Sequence, residues 1–279
     1  MDDGSTRDVS TDLARGPFRA LGRIEVLRLR RNLGHQRAIA VGLSFLERRR
    51  GPETVVVMDA DGEDDAVDVP RLLERLDSEA TCPIVFAERT RRSESLRFQV
   101  FYRMYKVLHK VLTGQGVRVG NFSAVPKRRL RSIVVVSELW NHYAASAFRS
   151  RQPFVTVPTK RGKRLDGRSS MNFVSLVAHG LSAIAVYGDV VGVRLLVLAA
   201  GLGLLSILGL IVSVLAPWKV PGWAAVTAGT SLVLLVQALM LALNFSFTIL
   251  GARTGATVIP RRDFAVFVDE LVLLREGPK

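Results

Sequence analysis

Residues 55–65 read VVVMDADGEDD, a hydrophobic run that ends in Asp59, Asp61, Glu63, Asp64 and Asp65. Carboxylates this close together suit a hard divalent cation. Magnesium and manganese prefer oxygen ligands, commonly one or two carboxylates completed by substrate phosphate oxygens. Asp59 and Asp61, separated by one residue on a turn, can present such a pair. The competing reading is a polar turn that caps the next helix, and an Asp-x-Asp alone does not decide between the two.

The surrounding pattern supplies the elements that would hold this turn. Residues 35–50 (HQRAIAVGLSFLERRR) place Ile39, Leu43 and Leu46 on one helical face. TVVVM at 54–58 and PIVFA at 83–87 read as buried strands, with a short helix at 70–76 between them. Residues 95–112 form a longer aromatic and basic helix, its Phe98, Phe101, Tyr102 and Tyr105 available to headgroups. Helices alternating with short apolar strands predict an α/β fold with a parallel or mixed sheet. Ligands sit at the carboxyl ends of strands in such sheets, and the acidic cluster lies at one of them.

The chain has 279 residues, with 39 Lys and Arg against 25 Asp and Glu, a net charge of +14. Such a balance suits nucleic acid, an anionic membrane or an anionic substrate. The basic clusters lack aromatic interleaving and zinc spacing, so nucleic acid is the least supported partner. Cys82 is the single cysteine, which excludes an internal disulfide and suits a reducing compartment. His35, His109, His142 and His179 are too scattered for a zinc site and read as packing or surface residues.

Residues 195–216 and 222–250 carry no charged side chain, and about 20 apolar residues span a bilayer core. Joined by the short PWKVP, they predict a transmembrane hairpin. Lys160, Arg194, Arg253, Arg261 and Arg262 flank it, whereas the link holds only Lys219. The positive-inside rule then places the large N-terminal domain and the C-terminal tail in the cytoplasm, with Trp218 and Trp223 at the far interface. Gln237 and Asn244 within the second span read as interhelical contacts or as the lining of a lipid path.

The motifs together resemble the polyprenyl-phosphate glycosyltransferases, the inverting family 2 group that includes dolichol-phosphate mannose synthase. Asp59-Ala-Asp-Gly-Glu-Asp is similar to that group's metal motif. Asn32-Leu-Gly-His-Gln-Arg resembles its Asn-x-Gly helix, and Arg89 and Arg92 its arginine pair. Residues 161–173 resemble its basic loop leading into a membrane-surface helix. Asp2-Asp3-Gly-Ser-Thr resembles the segment that ends the group's second strand, so the chain is expected to begin in mid-fold, by truncation or a misplaced start codon.

The resemblance implies an A-type, Rossmann-like sheet domain, incomplete at its N-terminus, over residues 1–168. An interfacial amphipathic helix (169–190), a transmembrane helical hairpin (191–252) and a cytoplasmic tail helix (253–279) would follow. It implies transfer of a sugar from a nucleotide-diphosphate sugar to polyprenyl phosphate with inversion, using Mg2+ or Mn2+. Asp59, Asp61 and Glu63 would hold the metal. Asp2, Asp3, Asn32 and Asp59 would face the nucleotide sugar, and Asp61, Arg89, Arg92 and Glu138 would carry catalysis. Arg161, Arg164, Arg168 and Ser169 would bind the acceptor phosphate, arginine's planar fork matching phosphate oxygens.

Two departures bear on these roles. Glu63 stands where Gln is common, and Asn121 in Gly120-Asn121-Phe122 stands where many members have Asp. Glu138 is read either as a nearby carboxylate or as a helix cap. A tail helix over 264–275 would pack on the domain or on a second subunit, which leaves a homo-oligomer open. The competing reading for the whole chain is a truncated, non-enzymatic membrane partner of an intact glycosyltransferase.

Overall fold

The computed structural model describes residues 1–6, 21–49, 52–89, 96–116, 119–160, 162, 173–215, 222–254 and 257–276. Two compact units emerge. One comprises residues 1–103, 117–186 and 258–279, the other residues 104–116 and 187–257.

The first unit is a mixed α/β domain. Strand β1 (Arg23–Leu29) pairs antiparallel with the C-terminal β6 (Val268–Glu276), and Asp2 adds a parallel bridge to Arg28. A second sheet takes the order β2-β4-β3-β5, from Thr54–Val57, Ser123–Pro126, Ile84–Arg89 and Phe154–Thr159. Here β4 runs antiparallel to β2 and β3, while β3 and β5 are parallel. Helix α1 (His35–Arg48) serves both sheets. Its Ala38 and Val41 pack with Leu27, Leu29 and Phe264, and its Ala40 and Leu43 pack with Val55, Ile84 and Phe86. Helix α2 (Asp68–Asp77) covers the other face through Leu72 and Leu76. Removing these apolar side chains from water fixes the frame on which the turn after β2 stands.

The second unit contains the later part of α3 (Leu96–Thr113) with α7 (Gly188–Leu215) and α8 (Trp223–Thr254). Arg194 Nη1 donates to the Val111 carbonyl at 2.6 Å, satisfying an acceptor at the end of α3. His109 is buried and within 3.0 Å of the Gln115 carbonyl, in keeping with a packing role. Two of the described helices are long and apolar enough to cross a membrane. Only 6% of the most apolar window of each is buried, so neither is a core helix of this chain. The PWKVP link with Trp218 and Lys219 lies outside the described residues.

Three expectations are corrected. The tail is not a helix: a 3-10 turn at Phe264–Phe267 leads into β6. VDELVLLRE offers β-branched and leucine side chains to β1, and pairing outweighs its weak helical pattern. Among the described residues of α3 the exposed apolar side chains are Met104, Val107, Leu108 and Val111, at helical spacing, whereas Tyr102 and Tyr105 are half-buried; the side chains of Phe98 and Phe101 lie outside the described residues. The surface helix α6 is shorter than expected, Phe173–Ala185, and α7 begins at Gly188. Between α3 and α6 come α4 (Lys127–Ile133) and α5 (Tyr143–Arg149), and α9 (Pro260–Asp263) precedes the final turn.

Candidate active site

The acidic turn begins where β2 ends and is held by its own carboxylates. Asp64, 5% exposed, accepts the Asp59 N–H at 3.0 Å, and Asp61 Oδ1 accepts the Glu63 N–H at 3.0 Å. Asp65 accepts the Val67 N–H and so leads into α2. Gly62 has φ 83°, a left-handed conformation that side chains resist. Asp59, Asp61 and Glu63 are half-buried at the carboxyl end of the strand.

Their chemistry is all oxygen, which suits magnesium or manganese. Among the described residues no three His, Cys, Asp or Glu side chains converge as a metal cage. What the turn can offer is therefore a carboxylate pair that shares a cation with a diphosphate.

A second loop cluster forms at the N-terminal residues. The Asp2 N–H donates to the Leu27 carbonyl, and the Leu29 N–H donates back to the Asp2 carbonyl. Asp3 accepts the N–H groups of Leu33 and Gly34 at 2.7 and 2.9 Å. Gly4 approaches so closely that a Cβ there would lie 2.6 Å from the Asn32 nitrogen. The structure thus brings Asp2, Asp3 and the exposed Asn32 together. Burial works against the Asp2 charge, yet hydrogen bonds from Ser5 and the Arg28 guanidinium hold its carboxyl below the ordinary range.

The remaining expected residues divide. Arg89 ends β3 with its backbone in register with Thr159 of β5. Its side chain, and Arg92, Arg161, Arg164, Arg168 and Ser169, lie outside the described residues. Glu138 is engaged structurally: Oε2 accepts the Ser137 hydroxyl at 2.9 Å and Oε1 accepts Arg149 Nε at 3.2 Å. Gly162, at the start of the basic segment, donates its N–H to the Glu63 carbonyl at 2.9 Å.

Two groupings escaped the sequence. Gln36 links Asn121 and Tyr143, and Ser123 Oγ lies 2.7 Å from the buried Tyr143 hydroxyl. Burial raises the Tyr143 phenol pKa, partly opposed by that contact. Three of the four histidines read as scattered come together: His179 of α6 lies 5.2 Å from His35 and 4.7 Å from His142, ring centre to ring centre. Helix packing unites positions far apart in the chain, and no linear spacing signals it.

Residues 1–131 match the family model described as Glycosyl transferase family 2. Residues 1–131 therefore form a family 2 glycosyltransferase domain. That match spans both loop clusters and strands β1 to β4, and supports a glycosyltransferase, an activity that implies a nucleotide-sugar donor and an acceptor. Comparison with curated proteins returns no match. In this glycosyltransferase the acidic turn and the Asp2–Asn32 cluster both fall inside the matched region, while Glu138 and the basic segment fall beyond it.

Proposed function

We infer that this glycosyltransferase moves a sugar from a nucleotide-diphosphate sugar to a polyprenyl phosphate at a membrane surface, with inversion. The observation that carries the reading is the acidic turn at the end of β2, bonded through Gly162 to the start of a strongly basic segment. Acid for a cation–diphosphate then stands at the carboxyl end of β2, tied by Gly162 to the stretch of sequence that carries base for an acceptor phosphate. The two long apolar helices supply a means of holding the domain where a lipid-borne acceptor lies.

The residues take these roles. A bound Mg2+ or Mn2+ would neutralise charge that accumulates on the departing diphosphate. Asp59 and Asp61 would hold that cation, with Glu63 beside them, and Asp64 keeps the turn closed. Asp2, Asp3 and Asn32 face the nucleotide. Arg89 and Arg92, with Arg161, Arg164, Arg168 and Ser169, orient the acceptor phosphate. Its oxygen is already ionised at neutral pH, so the step needs no strong general base, and Glu138 keeps its bond to Arg149. The catalytic face and the tail lie on the cytoplasmic side by the positive-inside rule.

The test is transfer of radiolabelled sugar to polyprenyl phosphate in proteoliposomes, across a panel of nucleotide sugars with Mg2+ or Mn2+. Asp61→Ala is expected to lose roughly 100-fold or more of the rate, the scale of a lost electrostatic stabiliser. Full activity in that variant would remove Asp61 from the site. Transfer to a soluble acceptor in preference to the lipid would overturn the acceptor assignment.

A further inference from the structure

Gly162 lies far along the chain from the acidic turn, yet its backbone touches it. The Gly162 N–H donates to the Glu63 carbonyl at 2.9 Å. A Cβ built on Gly162 would sit 2.5 Å from the Gly62 carbonyl oxygen and 3.3 Å from that of Glu63. Neither obstacle is a movable side-chain end; both are peptide backbone. The φ of Gly162 is outside the left-handed region, so the demand at this position is for space and not for an unusual dihedral.

The backbone of Glu63 is thereby gripped on both sides, at its N–H and at its carbonyl. Asp61 Oδ1 takes the Glu63 N–H from within the turn, and Gly162 takes the Glu63 carbonyl from outside. Gly162 is itself anchored, because it follows closely on β5, whose end at Thr159 is buried and paired in parallel with Arg89. A rigid strand therefore sets the position of the acidic turn.

We propose that Gly162 is a positioning residue that clamps the backbone at Gly62 and Glu63 and so fixes the carboxylates of Asp61 and Glu63 for a cation–diphosphate. The proposal rests on the preceding reading that this turn faces the donor diphosphate. The clamp works without touching substrate: it acts through the turn, by one hydrogen bond and by the absence of a side chain. It also ties the start of the basic segment to the acidic turn, so that a shift at one displaces the other.

The experiment uses the full chain in detergent, with Mn2+ and inorganic pyrophosphate as probes. Free Mn2+ is read by its electron paramagnetic resonance signal, and hydrogen exchange is followed over residues 59–65 and at the Gly162 amide. Gly162→Ala is compared with the wild type and with Gly22→Ala, where a Cβ meets nothing within 4 Å. The expected result is Mn2+–pyrophosphate affinity reduced roughly 10–100-fold in Gly162→Ala, the range for groups that orient metal ligands. Exchange in the turn should quicken, and Gly22→Ala should match the wild type.

Unchanged affinity in Gly162→Ala, beside a wild type that takes up Mn2+, would overturn the clamp and leave the metal reading standing. A wild type that takes up no Mn2+ would remove the metal reading and the clamp together. Should Gly162→Ala fail to fold, the wild-type Gly162 amide decides. Slow exchange there supports the clamp, and exchange at the rate of a free peptide overturns it.

Discussion

Gln36 and Asn121 are joined side chain to side chain, Gln36 Nε2 donating to Asn121 Oδ1 at 3.1 Å. The other end of the same amide, Gln36 Oε1, accepts the Tyr143 N–H at 2.6 Å. One buried residue of α1 therefore fixes both the Gly120-Asn121-Phe122 loop and the start of α5. Replacing it with leucine leaves an amide N–H and a carbonyl oxygen without a partner. Each buried unsatisfied group costs about 1–3 kcal/mol, so Gln36→Leu should lower the urea midpoint clearly. Asn121→Asp keeps an acceptor for Gln36 and should melt close to the wild type.

Asp64 is the acid whose role the sequence least suggested. It stands among five carboxylates that look interchangeable on paper, yet it is the buried one and accepts the Asp59 N–H. Asp64→Ala should therefore weaken metal-dependent donor binding by loosening the turn, even though Asp59 and Asp61 are intact. Calorimetry with a nucleotide sugar, with and without Mn2+, checks this. Equal loss in both conditions would point to general unfolding instead.

The difference between Asp64 and its neighbours shows what a linear reading reaches. The strand-then-acid pattern was legible because β2 is a short apolar run and a turn of carboxylates must follow it. The two long apolar helices were legible because length and absence of charge are sequence properties. By contrast, β1 hides in REV-like alternation broken by arginines: RIEVLRL buries Val26, Leu27 and Leu29 while Arg28 turns to Glu270 at 2.7 Å. The tail looked helical because its partner strand lies at the opposite end of the sequence. Gly162 and the histidine group depend on tertiary contacts, which leave no local periodicity.

The tail strand makes a prediction of its own. Phe264 is 6% exposed, edge-on to Phe45 at 6.4 Å, with the Arg48 guanidinium 5.0 Å from its ring centre. It joins Leu27 and Leu29 to α1. Phe264→Ala should cost about 3 kcal/mol or more, by lost burial and the cavity left behind. The exposed Arg28–Glu270 pair is different: Glu270→Gln should change stability by no more than about 1 kcal/mol, since solvent screens it. Chemical denaturation of the two variants side by side separates packing from surface charge.

The histidine group gives the fold a pH dependence whose sign can be worked out. Burial first, and the neighbouring His35 second, push the His179 pKa down to about 4 from 6.5. Between those values the unfolded chain binds a proton at this site that the folded chain refuses. Stability from His179 is therefore complete above about pH 6.5 and declines as pH falls toward 4. The denaturation midpoint should drop over that window, and His179→Phe, which packs without titrating, should flatten the drop. An unchanged slope in His179→Phe would assign the acid sensitivity to other groups. Because His179 lies on α6, the acid-induced loosening should appear first as faster hydrogen exchange in residues 174–185, ahead of the strands β3 and β5.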